Sequence, residues 1–341
     1  MKAIVHHGTG PADILRLTDR PVPEPGPDEV RLRIVASGVN PTDWKSRSGG
    51  YGAIDDAEAV PNQDGSGVVD AIGTGVQGLA VGDRVWTTLA AFQRPASGTA
   101  QEYTVVPAER VFPLPDGAGF ELGASVGIPA ITAHRALTVA EDGPARLGPG
   151  ALFGRVVLVA GGAGAVGNAA IQLARWCGAT VVTTVSSATK GDLARAAGAG
   201  HVVDYTADDV AARVRELVPD GVDIVVEVAI GANAETDAAV LKPLGTIAVY
   251  ANNGDRPFTP DIRQLMGLNA RLQFVLLYTL GWGRLSDAAA DVNAAIAAGA
   301  LRVGDDAGLP LHRFRLEEAA EAHRAVETGA VGKVLIDVAP G

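Results

Sequence analysis

The stretch Val156–Gly167 reads Val-Val-Leu-Val-Ala-Gly-Gly-Ala-Gly-Ala-Val-Gly, and an apolar run with helical spacing, Asn168–Cys177, follows it. An apolar pentad that ends in glycines is typical of a buried parallel strand leading into a helix. Gly161, Gly164 and Gly167 would provide a tight turn, a bare backbone beside a pyrophosphate, and a close contact between helix and strand. The stretch therefore predicts a dinucleotide-binding site.

The surroundings of the glycine motif matter, because 43 of the 341 residues are Gly, well above the usual share of ~7%. A second strand, Thr180–Val185, follows the helix within roughly 30 residues of the motif, as a dinucleotide-binding unit requires. The strand, glycine turn, helix and second strand together favour a cofactor site over a structural glycine loop. The predicted contacts with the phosphates are Gly161, Gly164, Ala165, Val166 and Gly167.

The end of the second strand indicates which dinucleotide binds. Residues 185–190 read Val-Ser-Ser-Ala-Thr-Lys, with no carboxylate before Asp192. A unit that binds NAD carries Asp or Glu there for the ribose 2′-hydroxyl. Ser186, Ser187 and Lys190 instead offer donors and a positive charge, which suit a 2′-phosphate and favour NADPH. Taken alone, Lys190 could also be a solvated lysine at a helix end.

Composition excludes several classes of function. The 28 basic and 39 acidic residues give a net charge of −11, which argues against nucleic acid or an anionic membrane as a partner. The single cysteine, Cys177, cannot form an internal disulfide and fits a reducing cytoplasm. The N-terminus has no long apolar segment of a signal peptide, and no stretch approaches about eighteen uninterrupted apolar residues. We expect a cytoplasmic protein that does not span a membrane.

The strand and helix patterns predict an α/β protein with two domains. Residues 1–124 read as short strands between Gly and Pro turns, typical of a small β-rich domain. Their predicted strands are Lys2–His6, Glu29–Gly38, Gly67–Ile72, Arg84–Leu89 and Gln101–Pro107.

Residues 125–277 begin with a predicted helix and then alternate strands with helices, which predicts a doubly wound parallel sheet. After the strand that starts at Val156, the predicted strands are Thr180–Val185, His201–Asp204, Asp223–Val228, Gly245–Ala251 and Arg271–Leu277. The predicted helices are Asp192–Ala197, Ala207–Val218 and Ala234–Leu241. Because the dinucleotide-binding domain is then complete, we expect residues 278–341 to rejoin the first domain.

The order of these parts resembles the medium-chain dehydrogenase/reductase family, and within it the zinc-independent quinone oxidoreductases related to zeta-crystallin. Three segments carry the resemblance: Gly38-Val39-Asn40-Pro41-Thr42-Asp43, Gly127-Ile128-Pro129-Ala130-Ile131-Thr132-Ala133, and Val159–Gly167. The resemblance implies a Rossmann NADP(H)-binding domain inserted in a GroES-like catalytic domain. It also implies a homodimer or homotetramer that pairs Rossmann sheets along an edge strand such as Arg271–Leu277.

The same comparison argues against zinc. Zinc-dependent members of the family place a cysteine where this chain has Asn40, and a His-Glu pair where it has Gln63 and Asp64. An amide cannot supply the thiolate or imidazole that a catalytic zinc needs. We therefore expect no metal site.

The resemblance also implies roles for individual residues. Asn40, Asp43 and Tyr51 would line the site around the nicotinamide as catalytic residues, although Tyr51 could equally be an ordinary loop residue. Lys190 and Tyr205 would contact the adenosine 2′-phosphate, and Lys333 would lie beside the cofactor. The residues expected near the pyrophosphate or nicotinamide are Thr132, Ala229, Asn233 and Tyr250. A surface residue at a strand end is the alternative for Tyr205 and Lys333.

Three functions remain open from the sequence. The first is an NADPH-dependent reductase that transfers hydride to a quinone without a metal. The second is an NADPH-dependent reductase of α,β-unsaturated carbonyls, and the third is a noncatalytic NADPH-binding protein. The expected substrate-flanking segments, residues 229–233 and 278–283, contain few titratable groups and provide no clear general acid. Quinone reduction tolerates that, because water can protonate the oxyanion product.

Overall fold

The computed structural model describes residues 1–50 and 58–340. The chain divides into two compact units: unit 1 consists of Met1–Ile128 and Leu311–Gly341, and unit 2 of Pro129–Pro310. Tyr51, which the resemblance makes a catalytic residue, lies outside the described residues.

The secondary structure follows the predicted alternation. The strands are β1 (Lys2–His7), β2 (Arg16–Asp19), β3 (Glu29–Val39), β4 (Glu58–Ala59), β5 (Asp64–Ile72), β6 (Arg84–Thr87), β7 (Tyr103–Pro107), β8 (Val111–Pro113), β9 (Val156–Ala160), β10 (Thr180–Val185), β11 (His201–Asp204), β12 (Val222–Glu227), β13 (Leu241–Val249), β14 (Arg271–Phe274), β15 (Leu311–Arg315) and β16 (Lys333–Asp337). The helices are α1 (Pro41–Ser48), α2 (Phe120–Leu137), α3 (Ala165–Trp176), α4 (Ala188–Ala196), α5 (Val210–Leu217), α6 (Ile230–Val240), α7 (Ile262–Gly267), α8 (Trp282–Ala297) and α9 (Ala319–Glu327).

Unit 1 is built on a mainly antiparallel sheet in the order β15-β16-β3-β5-β6-β8, with β7 also paired to β3. The alternating apolar residues of β3, Val30, Leu32 and Ile34, are fully buried and form the centre of this core. β16 pairs antiparallel with β3, with Val334 opposite Val39. This register places Lys333 beside the end of β3, where the chain turns into α1.

Unit 2 contains a six-stranded parallel sheet in the order β11-β10-β9-β12-β13-β14. β9 lies inside the sheet and its residues Val157 and Val159 are fully buried, as its continuous apolar sequence predicts. The strand order reverses between β9 and β12, and dinucleotides bind at such a point in doubly wound folds. The predicted fold class, a Rossmann sheet together with a GroES-like domain, is confirmed.

The domain boundaries differ from those expected. Residues 278–310 belong to unit 2 and not to the first domain. Asp291 on α8 lies 2.8 Å from His134 Nε2, and the Asn168 side chain on α3 donates to the carbonyl of Ala307. The sequence prediction treated the dinucleotide unit as complete after its last strand, whereas these buried polar contacts attach the following segment to it.

Smaller differences concern single elements. The boundary between the units falls between Ile128 and Pro129, inside α2, and not between residues 124 and 125. α4 begins at Ala188 and not at Asp192, because Ser187 caps it by accepting a hydrogen bond from the Lys190 backbone N–H. Sequence reasoning also did not predict the short strands β2, β4, β8 and β15 or the helices α1 and α7.

Cys177 lies directly after α3 and is fully buried. Burial raises the pKa of its thiol to about 11. Within residues 1–50 and 58–340, no helix has the length and apolar character needed to cross a membrane.

Candidate active site

The first polar cluster lies in unit 1, where β3 ends and α1 begins. The backbone N–H of Asn40 donates to Asp43 Oδ2 at 2.7 Å, and the backbone N–H of Gln63 donates to Asp43 Oδ1 at 3.0 Å. Pro41 follows as the first residue of α1, where its missing N–H costs no helical hydrogen bond. Asp43 thus stabilises the start of the helix and also binds the loop before β5.

Asp64, the first residue of β5, is fully buried and accepts hydrogen bonds from three groups. The donors are Asn40 Nδ2 at 2.8 Å, Thr88 Oγ1 at 2.8 Å, and the backbone N–H of Ile128 at 2.9 to 3.0 Å. Gly127 permits this arrangement, because a Cβ there would lie 2.2 Å from Asp64 Oδ1.

Lys333 completes the cluster from β16. Its ammonium donates to Asn40 Oδ1 at 2.7 Å and to the Val39 carbonyl at 3.3 Å, and lies 4.0 Å from Asp64 Oδ2. Both ends of the Asn40 amide are therefore engaged, so its orientation is fixed. Gly38 is required by packing beside this cluster, since a Cβ there would lie 2.0 Å from the Ala124 carbonyl oxygen and 3.1 Å from Lys333 Nζ.

The cluster combines two carboxyl groups and one ammonium, all of them buried. Burial and the nearby Asp64 charge raise the pKa of Asp43 to about 7. Burial also raises the pKa of Asp64, although Lys333 opposes the shift, and it lowers the pKa of Lys333 against the attraction of both carboxylates. The cluster has two carboxyl groups but only one ammonium to neutralise them. It can therefore take up a proton near neutral pH.

The structure thus brings Asn40 and Asp43, both predicted as catalytic, together with Lys333, which was predicted to bind the cofactor. Sequence reasoning did not assign roles to Asp64 and Thr88. The signal for Asp64 was present, because it occupies the position of a glutamate in the zinc-dependent relatives. Its role as an acceptor for Asn40 depends on tertiary contacts that the sequence does not show.

The second set of candidate residues lies in unit 2, at the glycine loop. Gly161 has φ +71° and makes the turn, and a Cβ on Gly167 would lie 2.4 Å from the Gly161 carbonyl. Gly164 caps α3, and a Cβ there would have its nearest neighbour at 3.5 Å, so its face is open. Ala165 and Val166 form the first turn of α3, where N–H groups are available to an anion.

Gly162 was not predicted as a site residue but is required by packing, because a Cβ there would lie 2.1 Å from Thr183 Oγ1 on β10. The sequence contains a signal for it, since Gly162, Gly164 and Gly167 have the spacing G-x-G-x-x-G.

The end of β10 brings together the residues predicted to bind the 2′-phosphate. The Lys190 ammonium donates to Ser186 Oγ at 2.7 Å, and Ser187 caps α4. The backbone N–H of Tyr205 donates to the Val185 carbonyl, so Tyr205 follows β11 beside the same strand end, with 54% of its surface exposed. These residues form a group with a positive charge, hydroxyl donors and an exposed ring.

A third group lies at the end of β12. Glu227 is fully buried and accepts hydrogen bonds from the Ala229 backbone N–H and the Asn233 side chain. The backbone N–H of Tyr250 donates to the Glu227 carbonyl, and burial together with the Glu227 charge raises the pKa of the tyrosine. Thr132 lies buried on α2. Sequence reasoning named Ala229, Asn233 and Tyr250 but missed Glu227, the acceptor that joins two of them.

Comparison with known proteins identifies the family. Residues 26–116 match the alcohol dehydrogenase GroES-like domain, and residues 165–294 match the zinc-binding dehydrogenase domain. A quinone oxidoreductase from Lama guanicoe is 30% identical over 98% of this chain and 97% of that protein. The chain belongs to the medium-chain dehydrogenase/reductase superfamily, in its zinc-independent quinone oxidoreductase branch. Members of this superfamily are oxidoreductases, and so is this chain.

Solved structures of the superfamily have the same fold. A mycobacterial protein complexed with NADPH is 32% identical, with a TM-score of 0.81 over 98% of this chain and 99% of that one. An NAD-dependent alcohol dehydrogenase is 29% identical, with a TM-score of 0.83 over 99% of this chain and 100% of that one. The names of these two structures thus refer to different coenzymes on the same fold.

The family model that matches residues 165–294 is named for zinc binding. The resemblance described in the sequence analysis implies that Asn40 and Gln63 occupy positions where zinc-dependent members have ligands. In the part of the chain that the structure describes, no group of three or more His, Cys, Asp or Glu residues is placed to hold a metal ion.

Proposed function

We propose that this protein is an NADPH-dependent quinone oxidoreductase that works without a metal. The observation that carries the proposal is the contact between Lys190 and Ser186 at the end of β10. An ammonium and two serine hydroxyls suit a 2′-phosphate, whereas a site for NAD would need a carboxylate there. Similarity to quinone oxidoreductases supports the choice of acceptor.

The residues of unit 2 fit NADPH. Gly164 leaves open the space that a Cβ would fill, so a phosphate can approach the backbone there. The first turn of α3 offers backbone N–H groups to the pyrophosphate. Ser186, Ser187, Lys190 and Tyr205 would hold the 2′-phosphate end. Thr132, Ala229, Asn233 and Tyr250 are proposed contacts toward the pyrophosphate or nicotinamide.

NADPH supplies a hydride from nicotinamide C4 when bound. The protein must hold the acceptor and provide for the proton that the reduced acceptor takes up. We assign Asn40, Asp43 and Tyr51 to the acceptor. The Asn40 amide is fixed by Lys333 and Asp64. Its side chain therefore loses little conformational entropy when it orients a carbonyl oxygen of the acceptor. The carboxyl groups beside it can hold one proton near neutral pH, which would offset the charge that develops on the reduced acceptor.

Two alternatives differ in what happens to the cofactor. A reductase of α,β-unsaturated carbonyls would oxidise NADPH with enones but not with simple quinones. A noncatalytic protein would bind NADPH and oxidise it with neither. The test is stopped-flow oxidation of bound NADPH against a panel of quinones and enones. Fast single-turnover oxidation by quinones supports the proposal, and oxidation by enones alone assigns the protein to the second class.

Metal independence has its own test. Metal analysis of the purified protein should find no stoichiometric zinc, and a chelator should leave NADPH oxidation unchanged. Bound zinc whose removal abolishes turnover would contradict metal independence, and its ligands would have to be residues other than Asn40 and Gln63.

We further propose a homodimer formed along β14, the edge strand of the unit 2 sheet. Large apolar side chains are exposed near this edge: Leu244, Ile262, Met266, Phe274 and Leu276. An unpaired edge with exposed apolar residues favours pairing with a second copy. Phe274→Glu should convert the oligomer to monomers in light scattering, whereas Val81→Glu, at an exposed apolar residue of unit 1, should not. The place of action that we propose is the cytoplasm, in keeping with the single buried cysteine.

A further inference from the structure

The carboxylate of Glu227 holds the turn that follows β12. Glu227 is the last residue of that strand, next to β9 where the strand order of the sheet reverses. It accepts a hydrogen bond from the backbone N–H of Ala229, and the Asn233 amide lies 3.1 and 3.2 Å from its two oxygens. These bonds attach the first turn of α6 to the end of the strand.

Asp237 lies on α6 and is also buried, with 2% of its surface exposed. Its carboxyl group hydrogen-bonds to Glu227, and burial together with the Glu227 charge raises the pKa of Asp237 well above its ordinary value. Asp237 Oδ2 has no hydrogen-bond partner among the described residues. A neutral carboxylic acid tolerates such a position far better than a carboxylate does. Asp237 is therefore the donor of the pair and Glu227 the acceptor.

The turn from Val228 to Asn233 lies against the glycine loop. Val228 Cγ1 would be 3.4 Å from a Cβ placed on Gly161. On its other side, the backbone N–H of Gly231 donates to Asn252 Oδ1 at 2.9 Å. The turn is thus held between two loops at the carboxyl ends of the strands, the edge of an α/β sheet where ligands bind.

We propose that Glu227, with Asp237 as its hydrogen-bond donor, is the positioning residue that shapes this turn for the nicotinamide end of NADPH. The inference rests on the NADPH binding proposed above. Glu227 is fully buried, so its effect acts through Ala229 and Asn233. Because Lys190 and the serines lie at the other end of the site, after β10, the adenosine 2′-phosphate should bind independently of Glu227.

The test compares two ligands on the full-length protein by isothermal titration. NADPH reaches both ends of the site, whereas 2′,5′-ADP carries the 2′-phosphate but no nicotinamide. Glu227→Gln leaves one oxygen to serve three donors, and Asp237→Ala removes a donor. Both should weaken NADPH binding by about tenfold and 2′,5′-ADP binding by less than about twofold.

Asp237→Asn is the matched control. Its amide can still donate to Glu227, so NADPH affinity should stay within about twofold of wild type. Thermal unfolding of each variant, recorded without ligand, checks that the fold is intact. If Glu227→Gln fails to fold, the comparison of Asp237→Ala with Asp237→Asn decides alone.

Unchanged NADPH affinity in Glu227→Gln and Asp237→Ala would overturn the inference, and so would equal losses for both ligands. Asp237→Asn as damaging as Asp237→Ala would show that Asp237 is not the donor. A wild-type protein that binds no NADPH refutes the proposed function itself. Wild-type binding with no separation between the ligands refutes only the role of Glu227.

Discussion

The ammonium of Lys190 donates a 2.7 Å hydrogen bond to the hydroxyl of Ser186, so the first turn of α4 holds a positive charge beside two serines at the end of β10. This places a cation where NAD-binding units carry a carboxylate.

Lys190→Ala should weaken NADPH binding by roughly 1.5 to 3 kcal/mol, because it removes one charge-assisted contact with the 2′-phosphate. NADH, which has no such phosphate, should lose little. Fluorescence titration with both coenzymes measures the difference. Arg195→Ala is the control. Arg195 lies on the same helix and is an exposed cation, and it pairs with Asp192. Equal losses for both coenzymes would show that Lys190 does not recognise the phosphate.

Gly164→Ala and Gly162→Ala should separate binding from folding. A Cβ on Gly164 meets nothing closer than 3.5 Å, so the variant should be as stable as wild type but lose NADPH affinity, because the methyl group occupies the phosphate site. A Cβ on Gly162 would lie 2.1 Å from Thr183 Oγ1, so that variant should be destabilised by roughly 1 to 3 kcal/mol. Urea unfolding and NADPH titration measure the two effects. Normal NADPH affinity in a folded Gly164→Ala protein would place the phosphates elsewhere.

Lys333→Met should destabilise unit 1 by about 3 to 5 kcal/mol, because it leaves the buried carboxyl groups of Asp43 and Asp64 without their cation. Combining it with Asp64→Asn, which removes one of those charges, should recover about half of the loss. Urea unfolding of the two single variants and the double variant gives the coupling energy. Strictly additive effects would mean that Lys333 and Asp64, 4.0 Å apart, do not interact.

His323 should make unit 1 sensitive to acid. Burial, and then the charges of Arg47 and His6, lower the pKa of His323 to about 3, and its Nε2 lies 3.0 Å from Asn62 Oδ1. Since the unfolded chain binds this proton near pH 6.5, stability is complete above that pH and falls as the pH drops toward 3.

The contribution lost between pH 6.5 and pH 5 is about 2 kcal/mol. His323→Gln keeps a donor for Asn62 and does not titrate, so its unfolding free energy should fall less between pH 7 and pH 5 than that of wild type. His312→Gln, at an exposed histidine, is the control. Parallel pH profiles for wild type and His323→Gln would contradict the assignment.

Tyr51→Phe tests the acceptor class. If Tyr51 only hydrogen-bonds a quinone oxygen, the change removes about 0.5 to 1.5 kcal/mol, and quinone turnover falls about tenfold or less. If it protonates an enone, turnover of enones should fall about 10² to 10⁴-fold while quinone reduction survives. kcat/KM on both acceptors distinguishes the cases. Unchanged rates with every acceptor would show that Tyr51 has no role in turnover and direct attention to Asn40.

Sequence reasoning succeeded where the information is local. The apolar residues of β9 and Gly161, which makes the turn toward α3, lie close together in the chain, and each has one simple structural meaning. The Gly and Pro turns between short strands likewise indicated the β-rich character of unit 1.

It failed where the partners are distant. Asn40 and Lys333 are 293 residues apart, and only the pairing of β16 with β3 brings them into contact. The carboxyl groups of Asp64 and Glu227 look like ordinary strand-end residues, because their roles depend on what donates to them in the folded chain. Residues 278–310 were assigned to the wrong unit for the same reason, since Asp291 and Ala307 reveal their attachment only through buried contacts.

The burial of Cys177 has a consequence for the quinone reduction proposed above. Quinones are electrophiles that alkylate thiolates, so an enzyme that binds them can be inactivated by its own substrate. Cys177 is the one cysteine of the sequence. With its thiol pKa raised to about 11 by burial, only about one thiol in ten thousand is ionised at pH 7, and that fraction is shielded from solvent. The chain therefore offers a quinone almost no thiolate to attack, and incubation with excess quinone in the absence of NADPH should leave Cys177 unmodified by mass spectrometry.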